Sequence, residues 1–282
     1  MLLFLFEFFY EKLYLAVQGR WGGYLARSMS IMNKLLFLGS GGSMGVPVIG
    51  CLCEVCTSNA PKNKRLRPSV LLKFGKKHFV IDMGPDYRQQ ALKYHINTLD
   101  GLLLTHTHYD HIGGLDELRI YAFRSGKAMP CLLSRETLEA LEKRYDYLFS
   151  SHEVEFNFHV LENGAGKILF EGVKVGYFSY MQVGMQVTGF RFNKLAYITD
   201  ILEYEESIFQ HLQGIETLII SAQQYSRSKA HLHIEQIIEF SKKTEVKHTY
   251  FTHISHEIHH EKIQEELPKG FFLAYDGMEC IL

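Results

Sequence analysis

A chain of 282 residues that is 46% hydrophobic and 13% aromatic is long and apolar enough to bury a substantial core, which excludes intrinsic disorder. Its 30 basic and 31 acidic residues leave a formal charge of −1, so no global field draws it to nucleic acid or an anionic membrane. Five cysteines, an odd number with three in "CLCEVC" (51–56), argue against a secreted disulfide framework and for reduced thiols in a cytoplasmic setting.

The chain opens on "MLLFLFEFFYEKLYLAV", but Glu7, Glu11 and Lys12 interrupt this apolar run well before the ~20 residues a bilayer span requires. It lacks a basic start and a small-residue cleavage site, so it reads neither as a transmembrane span nor as a secretory signal. Residues 1–31 are expected to be an extension outside the fold. The alternative is a helix lying on a membrane or partner surface. Met29 and Met32 precede the first strand pattern, and one large domain is expected over 32–282.

From there apolar runs predict strands at 34–39, 69–74, 78–84, 101–106, 173–180, 187–192, 195–200, 217–222 and 249–253. Helical spacing predicts helices at 86–95, 115–124, 135–149, 234–242 and 256–267. No linker or repeat marks a boundary, so a single mixed α/β domain is the economical reading. The basic run "PKNKRLRP" (61–68) offers Lys62, Lys64, Arg65 and Arg67 to a phosphate, although such runs are more often solvated loops.

Fifteen histidines are about twice the ordinary share, and several cluster. "THTHYDH" (105–111) packs His106, His108, Asp110 and His111 into six residues directly after a strand. Two residues apart in extended chain, His106 and His108 point the same way. Asp110 and His111 follow on a turn toward a helix and can face a second ion, with the glycines of "IGG" (112–114) giving the turn its freedom. Asp200 ends "LAYITD" and His253 ends "TYFTH", so strands deliver further ligand types to one rim. Cys51, Cys53 and Cys56 can wrap one zinc as three thiolates, and His256 in "FTHISH" offers the fourth ligand of a closed structural site. "HEIHH" (256–260) also satisfies the helical HExxH protease pattern with Glu257 as base, but that reading leaves both other clusters unexplained.

"THTHYDHIGGLDELR", "IDMGPDYRQQ", "ITD" and "FTH" together resemble the metallo-β-lactamase superfamily, and "GSGGSMGVPVIGCLCEVCTS" (39–58) more narrowly resembles the PhnP-type phosphodiesterases. The resemblance implies a four-layer αββα sandwich with a dinuclear site at one rim. Its ligands would be His106, His108, Asp110, His111, bridging Asp200 and His253, binding two divalent ions, zinc or manganese. It also implies the additional zinc at the cysteines. Two such ions lower the pKa of a water and neutralise charge developing in an in-line displacement, which suits phosphodiester cleavage. The direct chemistry falls to Asp110 and to His231 in "SKAHLHIEQ", which aligns with a leaving-group acid in such enzymes. His233 could exchange roles with it.

The expected activity is hydrolysis of small cyclic or nucleotide-like phosphodiesters. An RNA-processing nuclease is the alternative enzyme, and a metal-binding protein without turnover the alternative class. A homodimer is compatible with the sequence. One ligand departs from the resemblance: where a third histidine for the first ion is expected, in a loop ahead of "TGF", the spacing falls on Val183 with Gln182 beside it. The first subsite is therefore expected to be the weaker.

Overall fold

Alternation decides what each strand residue meets. In β1 (Lys34–Gly39) Leu35 and Phe37 enter one apolar cluster, while Leu36 and Leu38 enter another, as befits a strand buried on both faces. The same split recurs in β2 (Ser69–Phe74), β3 (Lys77–Ile81), β4 (Gly101–Leu103) and β5 (Met129–Ser134). With β6 (Phe156–Leu161) these strands form one sheet, whose run from β3 to β6 is parallel. The structure is a computed structural model describing residues 33–150, 156–162, 164–224 and 230–282; the segment 1–31 lies outside the described residues.

The second sheet takes β7 (Ala165–Phe170), β8 (Val173–Gln182), β9 (Met185–Phe192), β10 (Leu195–Ile198), β11 (Thr217–Ser221), β12 (His248–Thr252) and β13 (Phe271–Leu273). Its β10 to β13 run is parallel, and the chain then returns as β14 (Glu279–Ile281) to pair antiparallel with β1. Phe37, Phe79, Leu103, Phe190, Tyr197 and Ile219 from both sheets form the central layer of the core.

Helices cover the outer faces. On the first sheet, α1 (Tyr87–Lys93), α2 (Leu118–Ser125) and α3 (Arg135–Arg144) contribute Tyr87, Leu118 and Leu138 to its outer cluster. On the second, α4 (Ile234–Lys243) inserts Ile237 and Phe240 against Ile198, Ile220 and Phe251, and α5 (His260–Glu266) packs Ile263 there. The result is the expected αββα sandwich.

The differences from the sequence reading have local causes. Strands β5, β6, β7, β13 and β14 were not predicted; β5 carries Pro130 and β13 and β14 are three residues each, so period 2 is hard to see. The segment taken as a loop ahead of "TGF" is a tight hairpin, because Val183 and Gly184 both adopt positive φ (46° and 77°) and close β8 onto β9 in two residues. The helix predicted from 256 begins at His260, which removes the HExxH reading since His256 and His260 do not share a helix face. The basic run is also dissolved. Arg65 is buried and bonded to Ser40 and His260, Arg67 pairs with Asp86 at 2.8 Å, Lys64 reaches the Cys56 carbonyl, and Lys62 lies over the Tyr275 ring.

Candidate metal centres

Three strand ends stop on a side chain where the backbone would favour glycine. Asp82 follows β3 with φ 61°, Asp200 lies just beyond β10 with φ 55°, and His253 follows β12 with φ 58°. Each left-handed residue costs about 1–3 kcal/mol, and each is fully buried. All three turn toward the loop that carries "THTHYDH".

There the donors converge. His111 Nε2 lies 3.3 Å from Asp110 Oδ2 and 3.1 Å from Asp200 Oδ2, while His253 Nε2 lies 3.2 Å from Asp110 Oδ2 and 3.3 Å from Asp200 Oδ1. His106 Nε2 and His108 Nδ1 meet at 3.0 Å on the other side, and the His106 and His111 rings are 4.2 Å apart. Thus all six predicted rim residues are brought together.

The close packing is set by backbone as well as side chains. A Cβ on Gly84 would lie 2.0 Å from the Asp110 carbonyl oxygen, and one on Gly114 2.2 Å from that of Gly84. The glycine at 114 is therefore there for close approach, not for the freedom of turn expected from "IGG", and its φ of −105° is open to any residue.

The electrostatics show what the rim demands. Burial works against charge on Asp110 and Asp200, yet the imidazoles of His111 and His253 hold both carboxyls well below the usual range. Conversely, burial disfavours charge on His111 and His253, but Asp110 and Asp200 raise both above the ordinary value. Burial lowers His106 and His108, and it lowers His231 to about 4 against the pull of Asp200. Two carboxylates thus retain positive charge between them. His111 Nε2 is buried between them, 3.3 Å from one carboxylate oxygen and 3.1 Å from the other, so both carboxylates converge on a single buried imidazole nitrogen. The donor set of imidazole nitrogens and carboxylates fits divalent transition ions.

The second cluster is separate. Cys51, Cys53, Cys56 and His256 present ligand atoms within 4.8 Å of one another, with His256 Nδ1 3.3 Å from Cys51 Sγ and 3.5 Å from Cys53 Sγ. The Cys56 backbone N–H, donating to Cys53 Sγ, lowers that thiol to about 6. These four residues fit a closed tetrahedral zinc site. Cys131 and Cys280 are buried elsewhere in the sheets.

Of the two candidates near 231, His231 is buried with Nδ1 3.5 Å from Asp200 Oδ1, whereas His233 caps α4, its backbone N–H donating to Gln236. The sequence reading missed Asp82 and named Gln182 only as the neighbour of Val183. Asp82 accepts from Thr105 N and Oγ1 at 2.9 and 2.8 Å and holds His111 Nδ1 at 2.7 Å, fixing which nitrogen faces the rim. Gln182, not Val183, reaches the site: its Nε2 donates to Asp200 Oδ1 at 3.0 Å, while Val183 sits 64% exposed at the hairpin tip.

Residues 77–254 match the Beta-lactamase superfamily domain, and the chain belongs to that superfamily. Within it, the chain is 35% identical to a diphosphatase of the PhnP family, with a TM-score of 0.83 over 89% of this chain and 97% of that one. The Zn(2+)-bound PqqB of Methylobacterium extorquens shares the fold at a TM-score of 0.72 and 18% identity, covering 88% of this chain and all of that one. An octanoyltransferase of Porphyromonas gingivalis is 30% identical over 266 residues, 88% of this chain. The chain spans about half (51%) of that curated relative's length. Among the described residues no helix is long and apolar enough to cross a membrane.

Proposed function

We propose that the chain is a two-ion phosphoester hydrolase acting on small phosphodiesters, cyclic or nucleotide-like, with a separate structural zinc at Cys51, Cys53, Cys56 and His256. The observation that carries the reading is the rim itself. Asp200 stands between a His106–His108 pair and an Asp110–His111–His253 set, a spacing suited to two zinc or manganese ions. When bound, such ions supply an acidified water and neutralise charge on phosphoryl oxygens. The name of the PhnP-family diphosphatase supports the same chemistry at phosphorus.

The chain's own residues do the rest. Asp110 and Asp200, kept ionised by His111 and His253, would hold the ions. His231, beside Asp200, is neutral in the free protein because burial lowers it to about 4. An anionic phosphoester next to the ring raises that value, so His231 can hold a proton for the departing oxygen. The buried rim, with its carboxylates already bonded, limits reorganisation on substrate binding.

The test is hydrolysis of bis(p-nitrophenyl) phosphate and of 2′,3′-cyclic nucleotides by protein reconstituted with zinc or manganese, against chelated protein and against aryl thioester and lactam probes. Metal-dependent turnover of the phosphodiesters supports the reading. Turnover of thioester or lactam alone overturns it, and metal binding without turnover of any ester makes the chain a binding protein.

A further inference from the structure

The ligand set leaves one buried polar atom unused. Gln182 ends β8 directly before the Val183–Gly184 turn, and its side chain points inward, 3% exposed. Nε2 donates to Asp200 Oδ1 at 3.0 Å and lies 3.4 Å from His231 Nε2, while Oε1 is buried with no hydrogen-bond partner. A buried amide oxygen without a partner costs about 1–3 kcal/mol, so its retention beside a bridging carboxylate calls for a positive partner. The Asp200 carboxylate can only accept, so the NH2 end of the amide faces it and Oε1 is the end left without a partner.

We propose that Gln182 is the third protein ligand of the subsite formed by His106 and His108, an amide oxygen standing where the resemblance expects an imidazole. The inference rests on the two-ion reading above and specifies it. The rim then joins two unlike subsites across Asp200. The Asp110–His111–His253 side gains two imidazoles and a charged carboxylate, whereas the His106–His108–Gln182 side has a neutral oxygen for its third donor. A carbonyl oxygen suits manganese or magnesium better than zinc. The second subsite therefore holds zinc tightly, and the first holds its ion more weakly, discriminates less between zinc and manganese, and exchanges faster. The expected repair by histidine moves with it. Val183 points to solvent and cannot restore the site, but position 182 can.

The experiment uses full-length protein stripped with chelator, then titrated with Zn²⁺ or Mn²⁺ by calorimetry, with bound metal counted by elemental analysis and paired manganese read by electron paramagnetic resonance. The wild-type chain is expected to take one rim zinc tightly and a second rim ion more weakly, with a smaller preference for zinc over manganese at the second than at the first. Gln182→Leu should lose the weaker ion and the coupled manganese signal while keeping the tight rim ion and the cysteine zinc. Gln182→Glu, which keeps an oxygen donor, should retain both, and Gln182→His should tighten zinc at the weaker subsite by about tenfold or more. If Gln182→Leu binds the weaker ion with unchanged affinity, or Gln182→His leaves zinc binding as it was, the amide is not a ligand and the proposal falls. If the wild-type rim binds no ion while the cysteine site does, the two-ion reading itself falls.

Discussion

Removing the Asp82 carboxylate separates folding from metal binding. Its oxygens accept from Thr105 N, Thr105 Oγ1 and His111 Nδ1, all fully buried. In Asp82→Ala the Thr105 hydroxyl can turn to His106 Nδ1, 2.9 Å away, but the Thr105 and His111 N–H groups are left without acceptors. Two buried orphans at about 1–3 kcal/mol each give a loss of about 2–6 kcal/mol, a large share of the roughly 5–15 kcal/mol by which an ordinary chain is stable. Asp82→Asn is the sharper probe. Asparagine tolerates the left-handed backbone, and its oxygen can still accept from Thr105 N. Its NH2, however, faces His111 Nδ1 as a donor, so the imidazole proton moves to Nε2, the atom aimed between Asp110 and Asp200. The fold should survive with a loss of about 1–2 kcal/mol, while affinity for rim ions falls by about 10–100-fold. Chelator competition with thermal melting measures both. Wild-type ion affinity in a folded Asp82→Asn chain would refute the tautomer argument.

Four other outcomes are expected. Cys53→Ser should lower zinc content by about one per chain and depress the melting temperature, because binding energy in a closed site is folding energy; unchanged zinc and melting would exclude the cluster. His231→Ala should slow esters with poor leaving groups far more than activated aryl esters, and equal losses would reduce His231 to a positioning role. Val183→Asn should stabilise the hairpin by up to about 1 kcal/mol by relieving a β-branched residue at φ 46°, while Val183→His should leave rim metal content unchanged; a gain in rim metal would contradict the exposed geometry. His260 Nδ1 accepts from Arg65 at 3.0 Å, and burial with the Arg65 charge lowers its pKa from 6.5 to about 4. Because the folded value is depressed, its contribution of about 1–3 kcal/mol is complete above pH 6.5 and is lost as pH falls toward 4. Melting curves of His260→Gln should therefore be flatter over that window, and equal slopes would sink the assignment.

What could be read in advance was chemistry concentrated in one stretch. His106, His108, Asp110 and His111 are neighbours in sequence, and three cysteines in one loop raise the expectation of a metal with no tertiary information. Asp200 and His253 were legible because apolar runs end on them. Asp82 carries no such signal: one aspartate after a strand is ordinary, and its value lies in reaching His111, 29 residues on. Gln182 was misplaced by one residue because a two-residue turn was taken for a loop, and in a strand a shift of one reverses the face. Arg65 was hidden differently, since a basic run reads as solvated while the fold draws one of its members into the core. The pattern "HEIHH" failed because its histidines serve two neighbours, the cysteines and Arg65, instead of one helix face.

The two metal clusters share a single stretch of backbone. His253 belongs to the rim and His256, three residues on, to the cysteines. Between them Ile254 N–H donates to the Ser40 carbonyl at 2.9 Å, and the Ile254 carbonyl accepts from Gly42 N–H at 3.0 Å, zipping this stretch to the loop that leads into Cys51. A Cβ at Gly42 would stand 3.4 Å from His253 Nδ1, so the loop also backs the ligand ring. The left-handed backbone at His253 is a strained conformation that persists only when its surroundings over-determine it. A zinc closing the Cys51–Cys53–Cys56–His256 set would anchor one end of that stretch while β12 anchors the other. Bound there, it would help to hold His253 in a conformation the backbone alone would leave, and so to keep the Asp110–His111–His253 set preformed.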